Sequence, residues 1–310
     1  MRKFLIALQV LFLLGFVLSI FMVGNKVISH YRAGSAGLFN FAQPVYDGIE
    51  DYDPSLQRIK SVDQLVKYSD SLYNTKNFKG DDKNFEEAYT ELASDVLRKR
   101  FYHGYSNYNY NDNFVGVLGA QLTIKTLTAI VIPDDILHYP YAACSQQAIV
   151  LMEVLKRKGF FTRKVGFSGK NYGHFCVEVY YKGGWHFYDT DMEPGLGVLR
   201  QYNRPGVAFL ATHHDVLLKA YSQFSSAKIL DIFSNFSYGP VNKFPAAKAI
   251  IFQKLTKFLS YTIWLFFGIA FLLVRWKYLA ITQSNVRHSR ILFSGIQRKR
   301  SASYNTNYSA

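Results

Sequence analysis

Acidic residues are missing from residues 275–310, which carry Arg275, Lys277, Arg287, Arg290, Arg298, Lys299 and Arg300. That imbalance supplies half of the formal net charge of +14, and Arg2 and Lys3 add to it at the other end. The basic excess thus belongs mainly to the chain ends and not to the face of a folded domain, so no nucleic acid is expected as a partner. Charge of either sign is absent from residues 4–24, FLIALQVLFLLGFVLSIFMVG, and from residues 258–274, FLSYTIWLFFGIAFLLV. Each run approaches the ~20 apolar residues a helix needs to cross a bilayer. Cysteine is scarce: Cys144 and Cys176 are the two in 310 residues. A disulfide framework and a cysteine-rich metal site are therefore excluded. No internal repeat is visible.

The N-terminal run is longer than the apolar core of a secretory signal, and no small-residue cleavage motif follows at the right distance, so it reads as an uncleaved anchor. Lysine and arginine in short flanks stay on the cytoplasmic side. The basic tail and the Met1–Lys3 stub then put both termini in the cytoplasm and the segment between the runs outside it. The expectation is an integral protein of the plasma or inner membrane, with anionic lipid at the basic tail. The chain divides into a transmembrane helix at 4–24, an extended approach and helix at 25–80, an extracytoplasmic domain at 81–240, a juxtamembrane helix at 241–257, a second span at 258–274 and a cytoplasmic tail at 275–310.

Within the domain, Ser61 and Gln64 have the spacing of a capping box and predict a helix through SVDQLVKYSDSLY. Phe85, Ala88, Tyr89, Leu92, Val96 and Leu97 recur at helical intervals. Residues 102–112, YHGYSNYNYND, read as a tyrosine-rich packed loop. Residues 113–132 are apolar, yet Gln121 and Lys125 argue against a third span, and a buried helix is expected there. DVLLKAYS and AAKAIIFQKLTKFL read as helices, the second running into the membrane span.

The chemistry gathers in two motifs. In YAACSQQAIVLMEVLKRKGF, residues Ala148, Leu151, Met152 and Leu155 mark one helix face and Gly159 suits its C-terminal end. Cys144 then falls at or just before the first turn, where unpaired N–H groups and the helix dipole favour an anion and a thiolate is a good nucleophile. Downstream, GHFCVEVYYKGGWHFYD reads as a hairpin. A Lys182–Gly183 turn places Cys176 opposite Asp189 and His174 opposite Asp191; a Gly183–Gly184 turn slides the pairing by one step. In both registers His174 and Asp189 share a face, so the hairpin can align a base with an orienting carboxylate.

Cys144 at a helix start, KGFFTR ending in Arg163, GHFCVEV and GGWHFYD together resemble the transglutaminase-like superfamily, over about residues 85–195. The resemblance implies an α+β fold with a papain-like core, a helix bearing the cysteine packed on an antiparallel sheet, here flanked by two transmembrane helices. It assigns Cys144 as nucleophile, His174 as general base and acid, and Asp189 as orienting carboxylate. Glu178 matches an acid that follows the histidine, and Trp185 matches a tryptophan after the turn. Thr190 stands where proline usually follows the aspartate, and Cys176 where tryptophan often stands. Tyr139, Tyr141 and Asn113 remain open as side-chain donors to an oxyanion; the Cys144 backbone N–H is the main-chain candidate.

The implied activity is a cysteine hydrolase or acyltransferase acting on peptide or glutamine amides through a thioacyl intermediate. The substrate would be a protein or peptide, or a glycan or envelope component. The alternative is a non-catalytic module of the same fold that scaffolds cell-envelope or surface-polysaccharide assembly. No cofactor or metal is expected: His213, His214 and Asp215 lack companion ligands, and Asp215 reads as a helix cap. Asp191 and Glu193 are not assigned to calcium. Cys144 and Cys176 are expected as free thiols, a disulfide between them being the other possibility.

Overall fold

The computed structural model describes residues 1–31, 43–75, 85–193 and 197–305. In chain order its elements are helices α1 (Arg2–Tyr31), α2 (Val62–Thr75), α3 (Phe85–Arg100), α4 (Tyr110–Leu122), α5 (Pro133–Ile136) and α6 (Cys144–Arg157). Strands β1 (Phe161–Ser168), β2 (Gly173–Tyr181) and β3 (Gly184–Tyr188) follow. Helices α7 (Gly197–Gln201), α8 (Val207–Leu210), α9 (His214–Ala220) and α10 (Ser226–Phe233) then lead to strand β4 (Phe236–Tyr238) and helix α11 (Ala247–Asn305). Two units result, one of residues 38–256 and one of residues 1–37 with 257–310.

The first unit is α+β, built on a four-stranded antiparallel sheet in the order β3-β2-β1-β4. The β2–β3 turn is Lys182–Gly183, since Tyr181 faces Gly184 and Val177 faces Tyr188. Both turn residues take positive φ, 47° and 77°, the backbone of a type I′ turn whose twist matches the flanking strands. This selects the first of the two registers open in the sequence.

Both sheet faces are covered. Val177, Val179, Tyr181 and Tyr188 join Ala148, Ile149, Leu151, Met152 and Leu155 of α6 in one core. Val165, Phe167, Cys176 and Phe187 join Leu199, Val207, Leu210, Leu217, Ile229 and Phe233 of α7–α10 in a second. Each fully buried aliphatic side chain contributes about 1.5–3 kcal/mol, and two apolar faces explain why β2 is apolar almost throughout.

Three local expectations need correction. The apolar stretch 113–132 is not one buried helix: α4 stops at Leu122, and Leu122 and Ile124 are exposed. The following backbone is taken by other partners. Gln253 of α11 accepts from Val131 N and donates to the carbonyls of Leu127 and Ala129. Ile130 N donates to Ser106 O. Asp215 is not a cap but lies in the first turn of α9, where His213 holds the cap position. At α2 the Ser61 hydroxyl accepts from Gln64 N, while Gln64 reaches back to Lys60 N and not to the cap itself.

In the second unit, α1 and the distal part of α11 face each other through aromatic rings. Phe12 and Phe267 lie 6.5 Å apart, and Phe16 and Trp264 6.4 Å. Gly15 permits the approach, because a Cβ there would stand 2.8 Å from the Phe267 ring. Leu14, Leu18, Phe266 and Leu272 point outward and are exposed. Residues 2–27 and 247–284 are each long and apolar enough to cross a membrane.

Arg100 anchors the entry to the domain. It is wholly buried, and its guanidinium donates to the carbonyls of Ile59, Leu137 and Tyr139. Burial, opposed by Tyr52, lowers its pKa to about 10. Arg100→Leu strands three buried carbonyls. Chemical denaturation is expected to show a loss of about 3 kcal/mol, summing unsatisfied acceptors.

Candidate active site

Cys144 occupies the first position of α6, and its N-cap is Ala143, which offers no capping side chain. Alanine is a poor cap, costing about 1 kcal/mol against serine or aspartate. It leaves the Cys144 and Ser145 N–H groups uncovered by a cap side chain and available to an anion at the thiol, those of Ala143, Gln146 and Gln147 being bonded. The helix entry is held from within. Gln146 accepts from Ala143 N and Ser106 N and donates to the carbonyls of Ser106 and Ile130. Gln147 donates to Ala142 O at 3.0 Å and to Asp191 Oδ1 at 2.9 Å.

His174 is the second residue of β2, and Asp189 follows the end of β3. The ring donates from Nε2 to Asp189 Oδ2 at 2.8 Å, and both side chains are buried. Asp189 is saturated with donors. Tyr221 OH adds a bond to Oδ2 at 2.9 Å, while the backbone N–H groups of Asp191 and Met192 each donate to Oδ1 at 3.0 Å. Burial would raise the Asp189 pKa, but the charge and hydrogen bond of His174 and the two backbone donors outweigh it, so it lies below its ordinary value. Burial would likewise lower the His174 pKa. The Asp189 charge, the nearby Cys176, and hydrogen bonds with Asp189 and Cys144 reverse that and raise it.

With Nε2 engaged, Nδ1 is the ring nitrogen left for a sulfur. The Cys144 Sγ, a His174 ring nitrogen and an Asp191 carboxylate oxygen lie within 4.8 Å of one another. The body of α6 packs on the Val177 and Val179 face, whereas His174 lies on the Cys176 face. The thiol meets the ring because Cys144 is at the helix tip and His174 at the start of its strand.

Asp191 is the residue the triad pattern did not name. Besides Gln147 it accepts from His103 Nδ1, at 2.9 and 3.1 Å to its two oxygens. The Asp191 bond raises the His103 pKa; burial opposes it, and the charges of Asp191 and Glu50 add to it against His174. The hairpin register placed Asp191 opposite His174, which was a usable signal. Nothing in the sequence marked His103, inside the tyrosine-rich loop, or Tyr221, 32 residues beyond Asp189.

Other candidates are employed elsewhere. Asn113 bonds Thr256 and Gly116 N, and the Tyr139 hydroxyl bonds Asp112. Tyr141 is buried between the rings of Tyr102 and Tyr139. Glu178 pairs with Arg163 at 2.6 Å and accepts from Val207 N, while the guanidinium lies over Trp185 at 4.2 Å, so this set braces the hairpin. Glu193 pairs with buried Arg204 at 2.8 Å. His213 stacks on Phe209. Both cysteines are free thiols, and burial pushes the Cys176 pKa up.

The two shifts define a pH window. Asp189, with a lowered pKa, contributes stability that is lost as pH falls through its folded value. His174, with a raised pKa, contributes stability that is full below about 6.5 and lost as pH rises through its folded value. The stability difference between the natural protein and Asp189→Asn is thus expected to peak between about pH 4 and 6.5 and to shrink in alkali, as read by urea unfolding across pH. No family model, no curated protein and no solved structure matches this chain.

Proposed function

We propose that the chain is a membrane-anchored, transglutaminase-like cysteine enzyme with a papain-like core, cleaving peptide or glutamine amides through a thioacyl intermediate. The observation that carries this reading is the cluster of Cys144 Sγ and the His174 ring, with that ring bonded to Asp189. Cys144 attacks the amide carbonyl. His174 takes the thiol proton and returns it to the leaving amine, and Asp189 with Tyr221 holds the ring in position. The uncapped first turn of α6, beginning with the Cys144 N–H, receives the oxyanion. Water as acceptor completes hydrolysis, and an amine acceptor completes transamidation.

The test is alkylation of the full-length protein in detergent with iodoacetamide, sites being assigned by mass spectrometry. Cys144 is expected to label at pH 7, and His174→Ala to slow that reaction at least about tenfold, the effect of losing the ring that takes the thiol proton. A rate that tracks free thiol and ignores His174 overturns the enzyme and leaves a scaffold or binding module of the same fold.

The proposed orientation has both termini in the cytoplasm and residues 25–257 outside it, supported by the basic flanks. A membrane-impermeant label applied to intact cells is expected to reach a cysteine placed at exposed Tyr105 and not one placed in the tail at Ser301. The reverse pattern overturns the topology.

A further inference from the structure

The cluster at the tip of α6 contains more than a nucleophile and its base. A thiol, an imidazole and a carboxylate, from Cys144, His174 and Asp191, present three different donor atoms within 4.8 Å of one another. Sulfur, nitrogen and oxygen donors of this kind form three-ligand zinc sites with an open fourth position. Tetrahedral zinc, with a Zn–S bond of about 2.3 Å and Zn–N and Zn–O bonds of about 2.0–2.1 Å, sets its donors roughly 3.3–3.6 Å apart. Side-chain adjustments on the order of 1 Å bring the three into that range.

The surroundings also fit. A zinc-bound histidine usually donates its other ring N–H to a carboxylate, which fixes the tautomer and raises its basicity; here Asp189 already holds Nε2 of His174. Asp191 is oriented by Gln147 and His103, and its two oxygens retain lone pairs beyond those bonds. The carboxylates of Glu50, Asp189 and Asp191 stand around the two imidazoles, Glu50 accepting from His103 N at 3.0 Å. Cys144 is half-buried and open to a hydrated ion, while the Asp191 side chain is buried beneath its bonds to Gln147 and His103. A second grouping, His174, Cys176 and Asp189, also lies within 4.8 Å but is wholly buried. Its ring nitrogen is occupied by Asp189, and its thiol is out of reach of a solvated ion.

We propose that Cys144, His174 and Asp191 bind one Zn²⁺ ion, with solvent in the fourth position, and that the ion reversibly occupies the nucleophile. Binding engages Sγ, Nδ1 and a carboxylate oxygen, and the proton held between sulfur and ring leaves to solvent. The metal site stands on geometry alone; its inhibitory consequence rests on the enzyme reading above.

The experiment uses full-length protein in detergent, stripped with a chelator and titrated with zinc chloride against a fluorescent zinc chelator. One zinc ion per chain is expected. Affinity is expected to fall at least about 100-fold in Cys144→Ala and about tenfold or more in Asp191→Asn, and to persist in Cys176→Ala. Cobalt chloride is expected to give a sulfur-to-metal absorption band that Cys144→Ala abolishes. Zinc is expected to protect Cys144 from iodoacetamide, and added chelator to restore labelling. Failure to bind one equivalent, or binding that survives Cys144→Ala, overturns the metal site. If zinc does not bind while metal-free Cys144 still labels rapidly in a His174-dependent way, the metal site alone is lost. If zinc binds but that reactivity is absent, the enzyme reading is lost and the metal site stands.

Discussion

The bond between His174 and Asp189 is the constraint on which the rest of the site turns. It closes across the β2–β3 hairpin, buries two ionisable groups together, and sets which ring nitrogen remains for the thiol. Burying either partner alone would be costly; pairing them, with Tyr221 and two backbone N–H groups on the carboxylate, compensates both. The hairpin is in turn held by the Lys182–Gly183 turn and by the Arg163–Glu178 brace under Trp185. A slip of one residue in that register would move Asp189 off the ring and carry the strand's apolar residues to the wrong face.

The second constraint is the start of α6. A helix beginning with alanine at the cap and cysteine next forgoes local stability. The deficit is covered by the glutamines that follow, which tie the entry segment to residues 106, 130, 142 and 191. Helix tip and hairpin end are thus fixed to each other by hydrogen bonds and not by the packing of α6 alone. A site of this kind is held by hydrogen bonds on its protein side and open on the side of Cys144, which suits the proposed acyl substrate and the proposed metal ion alike.

The apolar unit imposes different physics. Its helices expose leucine and phenylalanine around most of their surface, an arrangement water disfavours and a bilayer accepts. Their mutual contact runs through aromatic rings over Gly15, where the absence of a side chain allows close approach.

Much was legible in the chain itself. The apolar runs, the helical spacing through Phe85–Leu97, the glycine after α6 and the hairpin around KGG are local patterns, and local patterns survive folding because neighbours in sequence enforce them. The shared face of His174 and Asp189 follows from strand periodicity alone. What the sequence could not reveal depends on partners distant along the chain. Residues 123–132 are mostly apolar and read as buried helix, yet Gln253, more than a hundred positions away, takes backbone groups of Leu127, Ala129 and Val131. Strand β4, three residues long, pairs with β1 only because α10 returns it to that edge. Asp191, His103 and Tyr221 reach the site from a strand exit, a loop and a helix end. Only the tertiary structure brings Cys144 to His174, because that meeting requires α6 to cross the sheet with its tip at the strand end, a geometry set by packing and not by any spacing in the chain.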